Sequence, residues 1–112
     1  MNRRDTLSAI GASTLGLLAP TWANAQSVTR LLVGATPGGG TDIVARALAQ
    51  ELSTRLSRQF VVENRPGAAG NIAAQAVAKS PADGSTLLLS YTSHVINPSL
   101  YAGRMPFDAV ND

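Results

Sequence analysis

Three observations predict an α/β layer fold with parallel strands. Short apolar runs alternate with longer segments of helical periodicity, in the order strand, helix, strand, helix, strand. Each apolar run ends in a cluster of Gly, Pro, Asn or other polar residues that suits neither a strand nor a helix interior. The last run is uniformly apolar, as expected of a strand covered on both faces. Strands joined through helices in this way lie parallel, with right-handed crossovers.

The elements follow in order. Residues 28–35 read VTRLLVGA, a run of strand length with β-branched residues. Residues 36–40, TPGGG, are nearly all breakers. Thr41 can then cap a helix, with Asp42 in the favoured acidic first turn. Val44, Leu48, Leu52 and Leu56 recur every four residues and, with Ala45 and Ala47 beside them, make one apolar face, which predicts a helix over 41–57. Glu51, Arg55 and Arg58 lie off the stripe. Residues 60–63 form a second strand, and the breaker-rich residues 64–70 a loop. Asn71 opens a small-residue helix through Lys79, whose alanines can lie close to a sheet. A turn at 80–84 leads to a third strand over 86–90, then a polar loop, Tyr91-Thr92-Ser93-His94. Asn97-Pro98 starts another helical turn, with proline in the first position, where its missing N–H costs nothing.

Composition excludes several functions. The 112 residues allow one domain at most, or part of one. Nine Lys and Arg face seven Asp and Glu; setting aside Arg3, Arg4 and Asp5 leaves seven bases against six acids. Those bases are scattered, and Lys79 is the only lysine, so there is no basic patch for nucleic acid. With no cysteine there is no disulfide framework, thiolate nucleophile or Cys-ligated zinc. His94 is the only histidine, which gives no credible metal set, and no motif calls for a cofactor.

The first 25 residues read as a cleavable export signal. Arg3 and Arg4 precede an uncharged apolar run over residues 7–19. Ala23-Asn24-Ala25 then supplies the small side chains a signal peptidase groove admits, with cleavage before Gln26. That run of 13 residues is shorter than the roughly 20 a spanning helix needs, so no permanent membrane anchor is expected after cleavage. Arg3-Arg4 followed by Leu7 hints at twin-arginine export, while Thr6 departs from that pattern and fits an ordinary secretory signal. Both routes end outside the cytoplasmic membrane. Residues 26–112 are the mature part.

In an open α/β sheet, ligands bind outside the carboxyl ends of the strands, beside helix N-termini. Residues 36–41, 64–70 and 91–97 occupy that position. Three successive glycines let the backbone approach a ligand closely, and the helix starting at Thr41 adds its partial positive end. Such a cradle holds an anion, and a carboxylate above all, without a charged side chain. A tight turn with no ligand is the other reading of the same glycines. Nucleotide loops fit poorly: Gly40 stands where a Walker A loop has lysine, and Ile43 where a dinucleotide fingerprint has its third glycine. Ser93 and His94 are neighbours in sequence and lack an orienting carboxylate, so a nucleophilic triad is not indicated. Asp42 reads as a first-turn structural carboxylate, because it would repel a bound anion. Arg65 could pair with a ligand carboxylate or with the fold.

Four ordered segments carry a family resemblance: PGGGTDIVAR at 37–46, VVENRPGAAGNIAA at 61–74, SPADGSTLLL at 80–89 and NPSLY at 97–101. With them the mature chain resembles the Bug family, the receptors of tripartite tricarboxylate transporters, along nearly its whole length. The resemblance implies a periplasmic solute-binding protein, not an enzyme, with a two-lobed type II (Venus-flytrap) fold. It implies a small organic-acid solute held between lobes by backbone N–H groups, hydroxyls and waters. Carried over by residue, the binding loops are Pro37, Gly38, Gly39, Gly40, Thr41 and Asp42, then Tyr91, Thr92, Ser93 and His94, with Asn64 and Arg65 as secondary candidates. The implied partners are one large and one small integral membrane subunit of a transporter. A sensing module of the same fold, or a small anion-handling enzyme, is the alternative. Family members are much longer, so residues 26–112 correspond to the opening part of lobe one, without the rest of that lobe or lobe two. A piece this small buries only about two-thirds of its unfolded surface, which makes marginal stability the expectation.

Overall fold

The computed structural model describes residues 27–112. The export signal and its cleavage residues Ala23, Ala25 and Gln26 lie outside the described residues. Strand β1 (Val28–Val33) leads to helix α1 (Gly40–Leu56) and strand β2 (Gln59–Asn64). A single 3-10 turn (Ala68–Gly70) precedes helix α2 (Asn71–Ala78), then strand β3 (Thr86–Leu89) and helix α3 (Thr92–Leu100). The sheet order is β2-β1-β3, and both pairings are parallel. The α/β architecture read from the alternation is therefore present. Among the described residues no helix is long and apolar enough to cross a membrane.

Register places the side chains. Leu31 pairs with Val62 and Leu87, and Val33 with Asn64 and Leu89, so these residues share one sheet face. Helix α1 covers that face: Leu31, Val33, Ala45 and Ala49 form the buried cluster, flanked by Phe60, Val62 and Leu89. Leu32 points to the opposite face, where α2 packs and buries Ala73 and Ala74. On that face Arg30 donates to Glu63 at 2.9 Å, and Arg65 reaches the same carboxylate. Both guanidiniums, Arg30 first, hold the Glu63 carboxyl below the usual carboxylate range.

Four expectations need correction. First, the predicted apolar face of α1 is buried only at its alanine edge: Val44, Leu48 and Leu56 are 59%, 39% and 58% exposed and Leu52 is half-buried, while Ala45 is fully buried with Ala49 beside it. Alanine's small side chain lets the helix backbone approach β1 over Leu31 and Val33, and Val44, Leu48 and Leu56 are left largely outward. Second, α1 starts one residue before Thr41. Gly39 is its N-cap, in extended conformation, and no side chain caps it. Third, β3 is an edge strand that pairs only with β1 among the described residues, and Leu87 is 38% exposed. Fourth, the polar stretch after β3 is helix, not loop. Tyr91 is the N-cap of α3, Thr92, Ser93 and His94 form its first turn, and Pro98 lies inside it. Proline cannot donate to the preceding turn. Even so, the helix continues to a Tyr101 N–H bond to the Asn97 carbonyl at 2.8 Å.

Candidate functional site

Three parallel strands end at the same edge of the sheet, so the segments after β1, β2 and β3 gather there. The chain leaves β1 toward β2 on one side and returns over β1 to β3 on the other, with α1 and α2 on opposite faces. The crevice where a ligand fits such a sheet therefore lies between the ends of β1 and β3. Helices α1 and α3 both begin at that edge.

The glycine loop is shaped by its own acid. Asp42 is 3% exposed. It accepts hydrogen bonds from the Gly38 N–H, from Arg46 Nε and from Asn64 Nδ2, each at 2.9 Å. The Arg46 guanidinium, with the Gly38 and Asn64 donors, lowers its carboxyl from 3.8 to about 2. Asn64 also donates to the Ala35 carbonyl at 3.2 Å and accepts from Arg46 at 3.2 Å. Gly38 makes the tight turn with φ +82°, a conformation that L side chains rarely adopt. Gly39 N–H bonds back to the Thr36 carbonyl at 3.3 Å. Two of the three glycine donors are thus used within the loop. The first-turn N–H groups of Gly40, Thr41 and Asp42 remain, at a helix start that no side chain caps.

The other wall joins the β2 and β3 ends. Gly67, Ala68, Ala69 and Gly70 all have positive φ, from 46° at Ala68 to 127° at Gly67. For the two alanines this left-handed conformation costs about 1–2 kcal/mol each. The Ala69 carbonyl accepts from Ser93 Oγ at 2.8 Å and Asn97 Nδ2 at 3.0 Å. A Cβ on Gly34 would meet Gly70 Cα at 2.7 Å, so β1 and this turn touch backbone to backbone. The Tyr91 hydroxyl closes the junction by donating to the Gly34 carbonyl at 3.3 Å. A small cleft of about 10 Å³, room for about one water, opens here, lined by Gly34, Ala69, Gly70, Ser90, Tyr91, Ser93 and His94 over Leu88 and Leu89. The His94 ring stacks on Phe107, with centroids 6.3 Å apart.

The sequence candidates thus fall into three groups. Tyr91, Ser93 and His94 line the cleft, and Thr92 sits beside them at the start of α3. Pro37, Gly38, Gly39, Gly40, Thr41 and Asp42 form the neighbouring loop and helix start, with Asp42 turned inward as a structural carboxylate. Asn64 and Arg65 are engaged by the fold, Asn64 with Asp42 and Arg65 with Glu63 at 2.7 Å. Ser93 and Tyr91 each spend their one hydroxyl hydrogen on a carbonyl, so as placed they can only accept from a ligand. Sequence reasoning missed Gly34, and it placed Ala69, Gly70 and Asn97 in ligand-edge segments without singling them out. The P-G-A-A-G run was the available signal for the turn, whereas Asn97 was hidden by the Asn-Pro helix-start pattern. Among the described residues no three His, Cys, Asp or Glu gather as a metal site.

The family model described as tripartite tricarboxylate transporter family receptor matches residues 44–112. The chain belongs to this receptor family. Protein BugT of Bordetella pertussis is 44% identical over 97 residues, an alignment covering 83% of this chain and 30% of that protein. A solved structure described as a periplasmic transporter superposes with a TM-score of 0.73 at 36% identity, covering 80% of this chain and 30% of its own. An R. palustris protein solved with adipate gives a TM-score of 0.60 at 37% identity, covering 81% of this chain and 30% of its own. The chain accordingly has the α/β fold of these two solved structures and spans about 30% of the length of each of the three matched proteins. Its family is one of solute receptors rather than enzymes.

Proposed function

We propose that this receptor chain supplies one wall of a site for a small carboxylate, in a periplasmic protein that delivers its solute to membrane transporter subunits. The observation that carries the reading is the pair of uncapped helix starts, α1 at Gly40 and α3 at Thr92, flanking the crevice between β1 and β3. Their free N–H groups and partial positive charge favour an anion. The nearby guanidiniums are already committed, Arg46 to Asp42 and Arg65 to Glu63. Main-chain donors, with the Thr41 and Thr92 hydroxyls beside them, are left to hold the solute. Adipate bound to the R. palustris relative supports an organic acid as the class. At about 10 Å³ the cleft is far below the roughly 300 Å³ at which ligand pockets begin, so it cannot enclose a solute by itself and is read as part of one wall of a two-walled site. The export signal read from residues 1–25 supports the periplasmic setting.

The test is a thermal-shift screen of the protein as its own gene produces it, against adipate, succinate, citrate, glutamate, a neutral amide, a sugar and a nucleotide. A bound acid raises the midpoint by mass action, by the equivalent of about 2.7 kcal/mol at a hundredfold excess over Kd. Shifts confined to the acids support the proposal. A flat response to every acid, with a shift for the sugar or nucleotide, contradicts it.

A further inference from the structure

We propose that Asn97 is a positioning residue for this site, holding the left-handed 67–70 turn in the shape that walls the cleft. The proposal rests on the carboxylate reading above for its effect on affinity, and on geometry alone for its effect on the turn. Four consecutive positive φ angles suit Gly67 and Gly70 but not Ala68 and Ala69. Within the turn itself, Gly70 N–H bonds the Gly67 carbonyl at 3.0 Å and Asn71 N–H bonds the Ala68 carbonyl. The Ala69 carbonyl instead receives Asn97 Nδ2 from α3.

Asn97 is 2% exposed, and its amide gives one hydrogen to Ala69 at 3.0 Å and the other to Asn71 Oδ1 at 2.7 Å. One side chain therefore joins the strained turn, the first residue of α2 and the helix whose start faces the crevice. Ser93 lies one helical turn earlier and bonds the same carbonyl from a more open position. The cleft lining at Ala69 and Gly70 is thereby set from α3 rather than by local preference. A residue that merely fills the core would leave the turn's conformation to its own sequence.

The experiment compares N97A, S93A, A69G and the double variant N97A/A69G in the protein as its gene produces it. Amide hydrogen exchange is followed in the unliganded protein, and calorimetric affinity is measured for adipate, succinate, citrate and glutamate. In N97A, exchange at residues 68–71 is expected to quicken selectively while β1 stays protected, and Kd for the best-bound acid to rise about tenfold. S93A gives a smaller change in the same direction. Glycine at 69 lowers the conformational cost of the turn, so the double variant recovers part of the lost affinity and protection. The proposal is overturned if N97A leaves turn exchange and Kd within about twofold of the parent. It is equally overturned if exchange rises as much in β1 as in the turn, or if A69G restores nothing. Should N97A not fold, S93A and A69G decide: no selective change at 68–71 in either overturns it. If none of the four acids binds the parent protein, the carboxylate reading fails, and turn exchange still judges Asn97.

Discussion

At the scale of single residues, Asp42 organises the glycine loop more than any glycine does. Its carboxyl, lowered to about 2 chiefly by Arg46, ties Gly38 and Asn64 together in a buried position. A carboxyl depressed in the folded state stabilises the fold above its unfolded value near 3.8, and that contribution fades as pH falls through about 2. Asp42→Asn is therefore expected to lower the thermal midpoint by several degrees at neutral pH, with the gap to the parent closing between about pH 4 and pH 2. Midpoints of both proteins across that range check it; a constant gap would mean that the charge is not what matters. Thr29 offers the opposite change. It is 1% exposed, and its hydroxyl has no partner among the described residues. Thr29→Val keeps the shape and removes an unsatisfied polar group, so stability should rise by about 1 kcal/mol. Urea denaturation reads this as a higher midpoint at unchanged slope.

At the scale of elements, the strands and their alternation with helices along the chain were plain from the sequence, while the sheet order β2-β1-β3 and the buried face of α1 were not. Val44, Leu48, Leu52 and Leu56 repeat every four residues, but so do Ala45 and Ala49, and hydrophobicity alone centres the face on the larger set rather than on its alanine edge. Close approach to β1 decides for alanine, and that is a property of the partner surface. The start of α3 was hidden for a related reason. Thr92, Ser93 and His94 look like a polar loop, yet polar residues are what a helix start facing a crevice should carry. Gly34 escaped notice because its role depends on a neighbour 36 positions along the chain, Gly70. Gly34→Ala brings a Cβ to 2.7 Å from Gly70 Cα, where only backbone can move. The end of β1 and the 67–70 turn must separate, at a cost of about 1–3 kcal/mol. Denaturant midpoint and solute affinity should fall together; if neither changes, the contact has no role.

At the scale of the whole molecule, the site is an edge shared by three segments, and much apolar surface lies beside it. Ile43, Val44 and Leu48 on α1, and Val95, Ile96 and Leu100 on α3, are all exposed. A surface of this kind, produced as the 112-residue chain alone, is expected to bind a hydrophobic dye strongly and to self-associate as its concentration rises. Dye fluorescence and light scattering test this, and a silent, monodisperse chain would show that these faces are harmless. The candidate loops themselves were legible, because breakers after strands mark the ligand edge of any parallel sheet. Which groups stay free for a solute was not, since it depended on Asp42 and Ser93 turning inward to bond Gly38 and Ala69. The most direct measurement of the account is an amide NMR titration of the isotopically labelled protein with the acid that gives the largest thermal shift. The N–H signals of residues 40–42 and 92–93 should move first and furthest, downfield as hydrogen bonds to a carboxylate form. Movement centred elsewhere, with both helix starts silent at saturation, would contradict main-chain capture of the anion.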